Sequence, residues 1–141
     1  GITCLRTALA DARENHTAWN GAADTVIADV PCSGLGIIRK KPDIRYKNPR
    51  ELSQLPAIQG DILENAARYV RPGGVLVYST CTVLPEENQQ ITEHFLKTHP
   101  EFQEEAFQLP ELIGHCAGHI TLWPQRWGTD GFYICRMRKK V

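Results

Sequence analysis

The sequence has no net charge, no paired-cysteine spacing and no long apolar run. Lys plus Arg and Asp plus Glu each number 16, so global charge says nothing about a nucleic-acid partner. The five cysteines, Cys4, Cys32, Cys81, Cys116 and Cys135, are odd in number and include no CxxC pair. In a chain of 141 residues that argues against a disulfide framework and for a reducing compartment. No apolar stretch reaches membrane-spanning length and no signal-peptide pattern is present. A cytoplasmic protein without a membrane partner is therefore expected. Internal repeats and low-complexity segments are also absent. The chain opens on GITCLRTAL with no Met, and is expected to be a piece of something longer.

What is present suits one domain with a real core, since 42% of residues are hydrophobic. The charge is neutral in sum but uneven along the chain. Residues 39–50, RKKPDIRYKNPR, hold six basic residues and one acid, and the tail RMRKKV at 136–141 holds four more basic residues. Glu86, Glu87, Glu93, Glu101, Glu104 and Glu105 collect between them. Local basic patches on a neutral protein are what local phosphate contacts require. A solvated loop and a frayed terminus remain the plainer readings of the two patches.

The hydrophobic pattern places the elements. Residues 2–7 are expected to form a short first strand, and residues 10–21, ADARENHTAWNG, a polar turn-rich segment. DTVIADV at 24–30 is nearly continuous in apolar residues, the signature of a strand buried on both faces of a parallel sheet. A loop follows to about residue 50. Leu55, Ile58, Ile62, Ala66 and Tyr69 then recur three or four apart, giving one helix stripe. Pro56 fits its first turn and RPGG at 71–74 is expected to cap its end. GVLVYST at 74–80 is a second buried strand. Pro85, Glu86 and Glu87 open a helix carrying Ile91, Phe95 and Leu96, with the acids suited to its N-terminus. EFQEEAF, GHITLWP and GFYICRMR read as short strands, the last two as an antiparallel hairpin. The order predicts an α/β fold, with a mostly parallel sheet and an antiparallel hairpin at one edge.

Two cysteines stand just beyond two strand ends: Cys32 in VIADVPCSG and Cys81 in VLVYSTCT. Open α/β sheets bind ligands outside the carboxyl ends of their strands. If the two strands are neighbours, Cys32 and Cys81 converge on one crevice with Asp29. A pair of small buried core residues is the competing reading, since free cysteine is among the most buried residue types.

DVPCSG followed by YSTCT resembles the RNA cytosine-5 methyltransferases, the Nol1/Nop2/Sun family. GIIRKKPDIRY, VLPEEN and GTDGFY resemble the bacterial branch that modifies small-subunit ribosomal RNA, and the likeness runs from ADAR at 10–13 to GFY at 131–133. A lone Pro-Cys occurs in DNA cytosine methyltransferases too; the second cysteine after Ser-Thr separates the groups. The resemblance implies a Rossmann-like class I methyltransferase fold, S-adenosylmethionine as methyl donor and small-subunit 16S ribosomal RNA as partner. It implies Cys81 as the nucleophile, Cys32 as the cysteine that assists product release, and Asp29 as the residue holding the cytosine edge near the donor. Pro31 fixes the turn, and its carbonyl meets the base or donor. Asp11, in ADAR, matches the acid that contacts the donor's adenine. The family's glycine-rich donor loop and N-terminal RNA-binding domain are not in these residues. The chain is therefore expected to be the C-terminal part of one catalytic domain, monomeric and inactive alone. Beside these cysteines, Arg39, Lys40, Lys41 and Arg45 are placed to hold phosphates, and Tyr46 to stack on a base.

Other readings stay open at this point. A tRNA cytosine-5 methyltransferase would share the same motifs, and a non-catalytic RNA-binding module would share the fold. A cysteine hydrolase needs a His within reach of the thiol. HCAGH at 115–119 brackets a Cys with two His, but zinc wants four ligands or three and a water. No metal is expected. His16, His94 and His99 read as surface residues.

Overall fold

The computed structural model describes residues 1, 3–110 and 113–141. Seven strands and four helices follow in order: β1 Ala23–Asp29, α1 Pro49–Leu52, α2 Leu55–Tyr69, β2 Val70–Thr80, α3 Gln89–Thr98, β3 Phe102–Glu104, β4 Phe107–Gln108, β5 His115–Cys116, β6 His119–Leu122, α4 Pro124–Trp127 and β7 Phe132–Lys139. Five strands make one sheet in the order β1-β2-β7-β3, with β6 also pairing β7; β4 and β5 form a separate two-stranded ladder. β1 and β2 run parallel, with Asp29 opposite Ser79. The ladders of β7 with β2, β3 and β6 are antiparallel. The result is a mixed α/β sheet, with the β6–β7 hairpin at the expected end of the chain.

β2 lies between β1 and β7, so Val75, Leu76, Tyr78, Ser79 and Thr80 are buried. β1 differs from expectation. Only Ala28 within it is buried and Ile27 is 69% exposed. Its run of apolar residues predicts cover on both faces, but β1 is an edge strand here, paired only with β2 among the described residues. α2 carries the predicted stripe, with Ile62, Leu63, Ala66 and Ala67 buried in the core beside Phe95 of α3 and Met137 of β7. Pro56 does sit in its first turn.

Several local readings are corrected. RPGG does not cap α2. The helix stops at Tyr69, Val70 is already extended, and residues 71–74 belong to β2. The Val70 N–H closes the last turn on Ala67 O, and Lys139 Nζ of β7 donates to Val70 O at 3.0 Å. The expected first strand at 2–7 does not form over residues 3–7, and Ile2 lies outside the described residues. Pro85–Glu87 is a separate 3-10 turn, split from α3 at Asn88, whose φ of −117° and ψ of −101° are not helical. The two His of HCAGH open β5 and β6. The basic tail is not frayed: Arg136 and Arg138 of β7 both pair with Glu105. His99 is half-buried and stacks on Phe95 at 4.3 Å. No helix among the described residues is long and apolar enough to cross a membrane.

Candidate active site

Parallel pairing of β1 and β2 brings their C-terminal ends side by side, and the chain turns at Pro31 and at Cys81 directly beyond them. The Cys32 and Cys81 sulfurs lie 3.2 Å apart, both half-buried, and both are free thiols. Burial, and after it the hydrogen bond to Cys81, push the Cys32 thiol up to about 12. Cys32 therefore stays protonated at neutral pH.

Every polar group flanking Cys32 is held by a different part of the chain. Pro31 O accepts from Gln59 Nε2 of α2 at 3.0 Å. The Ser33 N–H donates to Glu87 Oε2 at 2.8 Å. Ser33 O accepts from Lys47 Nζ at 2.9 Å, and the Ser33 and Thr82 hydroxyls pair at 2.8 Å. Cys81 O accepts the Gly36 N–H at 3.0 Å, and Gly36 O accepts the Gly131 N–H at 2.8 Å. The GLGIIRK and GTDGFY segments thus cross directly over the second cysteine. They have to be glycine at the crossing, because a Cβ on Gly36 would stand 2.1 Å from Gly131 O and 2.8 Å from Cys81 O.

The Pro31–Cys32 turn separates two cavities. Cys32 and Cys81 open into one of about 470 Å³, walled by Gly34, Ile37, Lys41, Asp43, Ile44 and Lys47. Asp11, Asp29 and Pro31 line the other, of about 290 Å³, with His16, Trp19 and Tyr69. Asp29 Oδ1 accepts from Ser79 Oγ at 2.9 Å, which fixes it at the end of β1. Both oxygens of Asp11 are bound by Arg13, at 2.6 Å through Nη2, and this pairing lowers its carboxyl to about 2. His16 is not a plain surface residue. It is half-buried in the second cavity, with Nε2 lacking a partner.

The basic loop divides in the same way. Lys41 faces the cysteine cavity. Arg39 and Lys40 reach Asp130 of GTDGFY at 3.8 and 2.5 Å. Arg45 donates to Pro42 O and lies 5.8 Å over the ring of Tyr46, which is 81% exposed. Sequence reasoning missed Lys47, Gln59, Glu87 and Asn88. Gln59 and Glu87 carried a signal: a polar residue on the buried stripe of α2, and an acid six residues beyond the second cysteine.

The description 16S rRNA methyltransferase RsmB/F matches residues 1–138. The chain belongs to the RsmB/F family. It is 41% identical over 147 residues to a Bacillus subtilis protein named probable ribosomal RNA small subunit methyltransferase B, covering 99% of this chain and 33% of that protein. Among solved structures, PH0851 matches with a TM-score of 0.89 at 35% identity, covering 99% of this chain and 32% of the other. NSun6 from Pyrococcus horikoshii with SFG matches with a TM-score of 0.64 at 26% identity, covering 82% and 29%. The chain spans 26% to 33% of the length of the curated relatives it matches, about a third or less.

Proposed function

We propose that this chain is the C-terminal part of the catalytic domain of an S-adenosylmethionine-dependent methyltransferase acting on C5 of a cytosine in small-subunit ribosomal RNA. The observation that carries the reading is the thiol pair, 3.2 Å apart at the ends of two parallel strands and open to a cavity that Lys41, Lys47 and Asp43 share with Ile37 and Ile44. Relatives named for small-subunit rRNA methylation support the substrate class. NSun6 with SFG, an analogue of S-adenosylmethionine, supports the donor. The second cavity fits one end of such a donor: it holds two acids, Asp11 and Asp29, the rings of Trp19 and Tyr69, and His16 with its orphaned Nε2.

C5 of cytosine is a poor nucleophile. Cys81 adds as a thiolate to C6, which makes the ring an enamine and C5 reactive; one hard step becomes two easier ones. Asp29 shares a proton at the ring edge as charge builds. Pro31 stiffens the turn between the two cavities. The bound donor supplies a methyl group on sulfonium. A base then takes the C5 proton, the Cys81–C6 bond breaks and the thiol pair is restored. Cys32, held as a thiol beside Cys81, serves this release step. Asp11 and His16 hold the donor's far end. Lys41 and Lys47 line the base's entry, Arg39, Lys40 and Arg45 hold phosphates, and Tyr46 stacks on a neighbouring base. A base reaches sulfurs at this depth only by leaving its stack. No histidine lines the cysteine cavity among the described residues, which disfavours a hydrolase.

The test uses the complete polypeptide with S-adenosylmethionine and unmodified small-subunit rRNA, and measures 5-methylcytidine by nucleoside mass spectrometry. Wild type makes the product; Cys81→Ala loses several orders of magnitude in rate. Cys32→Ala accumulates an RNA-bound protein adduct. Product from tRNA but not rRNA moves the substrate assignment. An active Cys81→Ala beside a dead Cys32→Ala reverses the roles.

A further inference from the structure

Glu87 and Asn88 are neighbours in the chain, and together they hold the residues beside both cysteines. Glu87 Oε2 accepts from the Ser33 N–H, next to Cys32, and from Gln59 Nε2, each at 2.8 Å. Asn88 Oδ1 accepts from Thr80 Oγ1 at 2.6 Å and its Nδ2 donates to Thr82 O at 3.1 Å, on either side of Cys81. The Ser33 and Thr82 hydroxyls close the ring. Ser33, Gln59, Thr80, Thr82 and Asn88 are fully buried, and Glu87 is 2% exposed. Glu87 Oε1 is buried without a partner. A carboxylate half-satisfied at this depth is a costly way to fill space, and an apolar side chain would do so better. What it provides instead is an acceptor aimed at the backbone of the Cys32 turn.

We propose that Glu87, acting with Asn88 and Gln59, is a positioning residue that sets the separation of the two thiols. It touches neither sulfur. The proposal deepens the methyltransferase reading, because the nucleophile and its release partner have to stay within reach of one ring. Its geometric content stands apart from that reading.

The experiment therefore needs no substrate. The complete polypeptide is equilibrated with reduced and oxidised glutathione, and the Cys32–Cys81 disulfide is quantified by peptide mass spectrometry. One thiolate attacks oxidised glutathione and releases one reduced molecule; the second thiolate displaces another. Two electrons and two protons pass from the pair to glutathione, giving the protein disulfide and two reduced glutathione molecules. The equilibrium constant reads how closely the sulfurs are held. Glu87→Gln, which keeps the acceptor, stays within about threefold of wild type, and Glu87→Met, which keeps the volume, falls by about tenfold or more. Alkylation of buried Cys116 and Cys135 stays unchanged in both, which shows the fold intact. A wild-type constant for Glu87→Met overturns the proposal, as does equal loss in both variants. Should Glu87→Met not fold, Gln59→Met makes the same test from α2. Methyl transfer measured in parallel loses kcat with little change in KM. Failure of that assay with an altered thiol constant sinks the methyltransferase reading and leaves the brace standing.

Discussion

Cys32 and Cys81 are the same side chain in unequal surroundings. Cys32 is pushed up to about 12, from 9.0, first by burial and then by its hydrogen bond to Cys81. A raised thiol pKa favours the protonated form, so the thiolate fraction at pH 8 is about a thousandfold below that of an ordinary cysteine. Iodoacetamide should leave Cys32 nearly untouched up to pH 9 while it labels exposed Cys4, with Cys32 labelling rising only as the pH approaches 12. In Cys81→Ala the second cause is gone, so the labelling curve of Cys32 moves to lower pH but stays above that of Cys4, because burial remains. Peptide-resolved alkylation across pH reads both. At this scale the sequence was legible where chemistry is written in residue types. Asp-x-Pro-Cys and Ser-Thr-Cys named the sulfurs. It was illegible where chemistry depends on direction: Glu87 looks like a helix-opening acid until the fold turns it onto the Ser33 N–H.

The elements were read well where a periodic apolar pattern meets a partner, as in α2, β2 and the β6–β7 hairpin. They were read poorly where the partner decides. The apolar run of β1 predicts burial that an edge strand does not provide, and RPGG predicts a helix cap where the chain instead runs on into β2. Loops between elements carry the site, and their contacts have no periodicity to read. The crossing of Gly36 and Gly131 is the clearest case. Gly36→Ala would place Cβ against backbone, 2.1 Å from Gly131 O and 2.8 Å from Cys81 O. Backbone cannot yield as a flexible side chain does, so the two loops must part and the hydrogen bonds at Gly36 weaken. Overpacking of this kind costs about 1–3 kcal/mol, and more where backbone has to move. Urea unfolding should show that loss for Gly36→Ala. Gly60→Ala, where a Cβ meets nothing within 4 Å on the body of α2, should be neutral or stabilising.

At the scale of the whole molecule, two neighbouring cavities differ in what supports them. The cysteine cavity is braced by α2, the segment after Cys81, the basic loop and GTDGFY. The cavity holding Asp11, Asp29 and Pro31 is about 290 Å³, at the small end of the usual range for ligand sites. It lies beside β1, whose outer edge is unpaired among the described residues and whose Ile27 is 69% exposed. A donor bound there keeps much of its surface in water, and affinity follows the surface removed from it. In the proposed reading, further polypeptide pairs with β1, covers Ile27 and closes this cavity. Isothermal titration of S-adenosylmethionine should then show binding to the complete polypeptide and a Kd at least about a hundredfold weaker, or no heat, for residues 1–141 alone. The complete polypeptide should also lose donor affinity on Asp11→Ala, since Asp11 lines this cavity. Equal affinities in the short and the complete chain would mean that residues 1–141 already hold the whole donor site, and the division into two incomplete halves would be wrong.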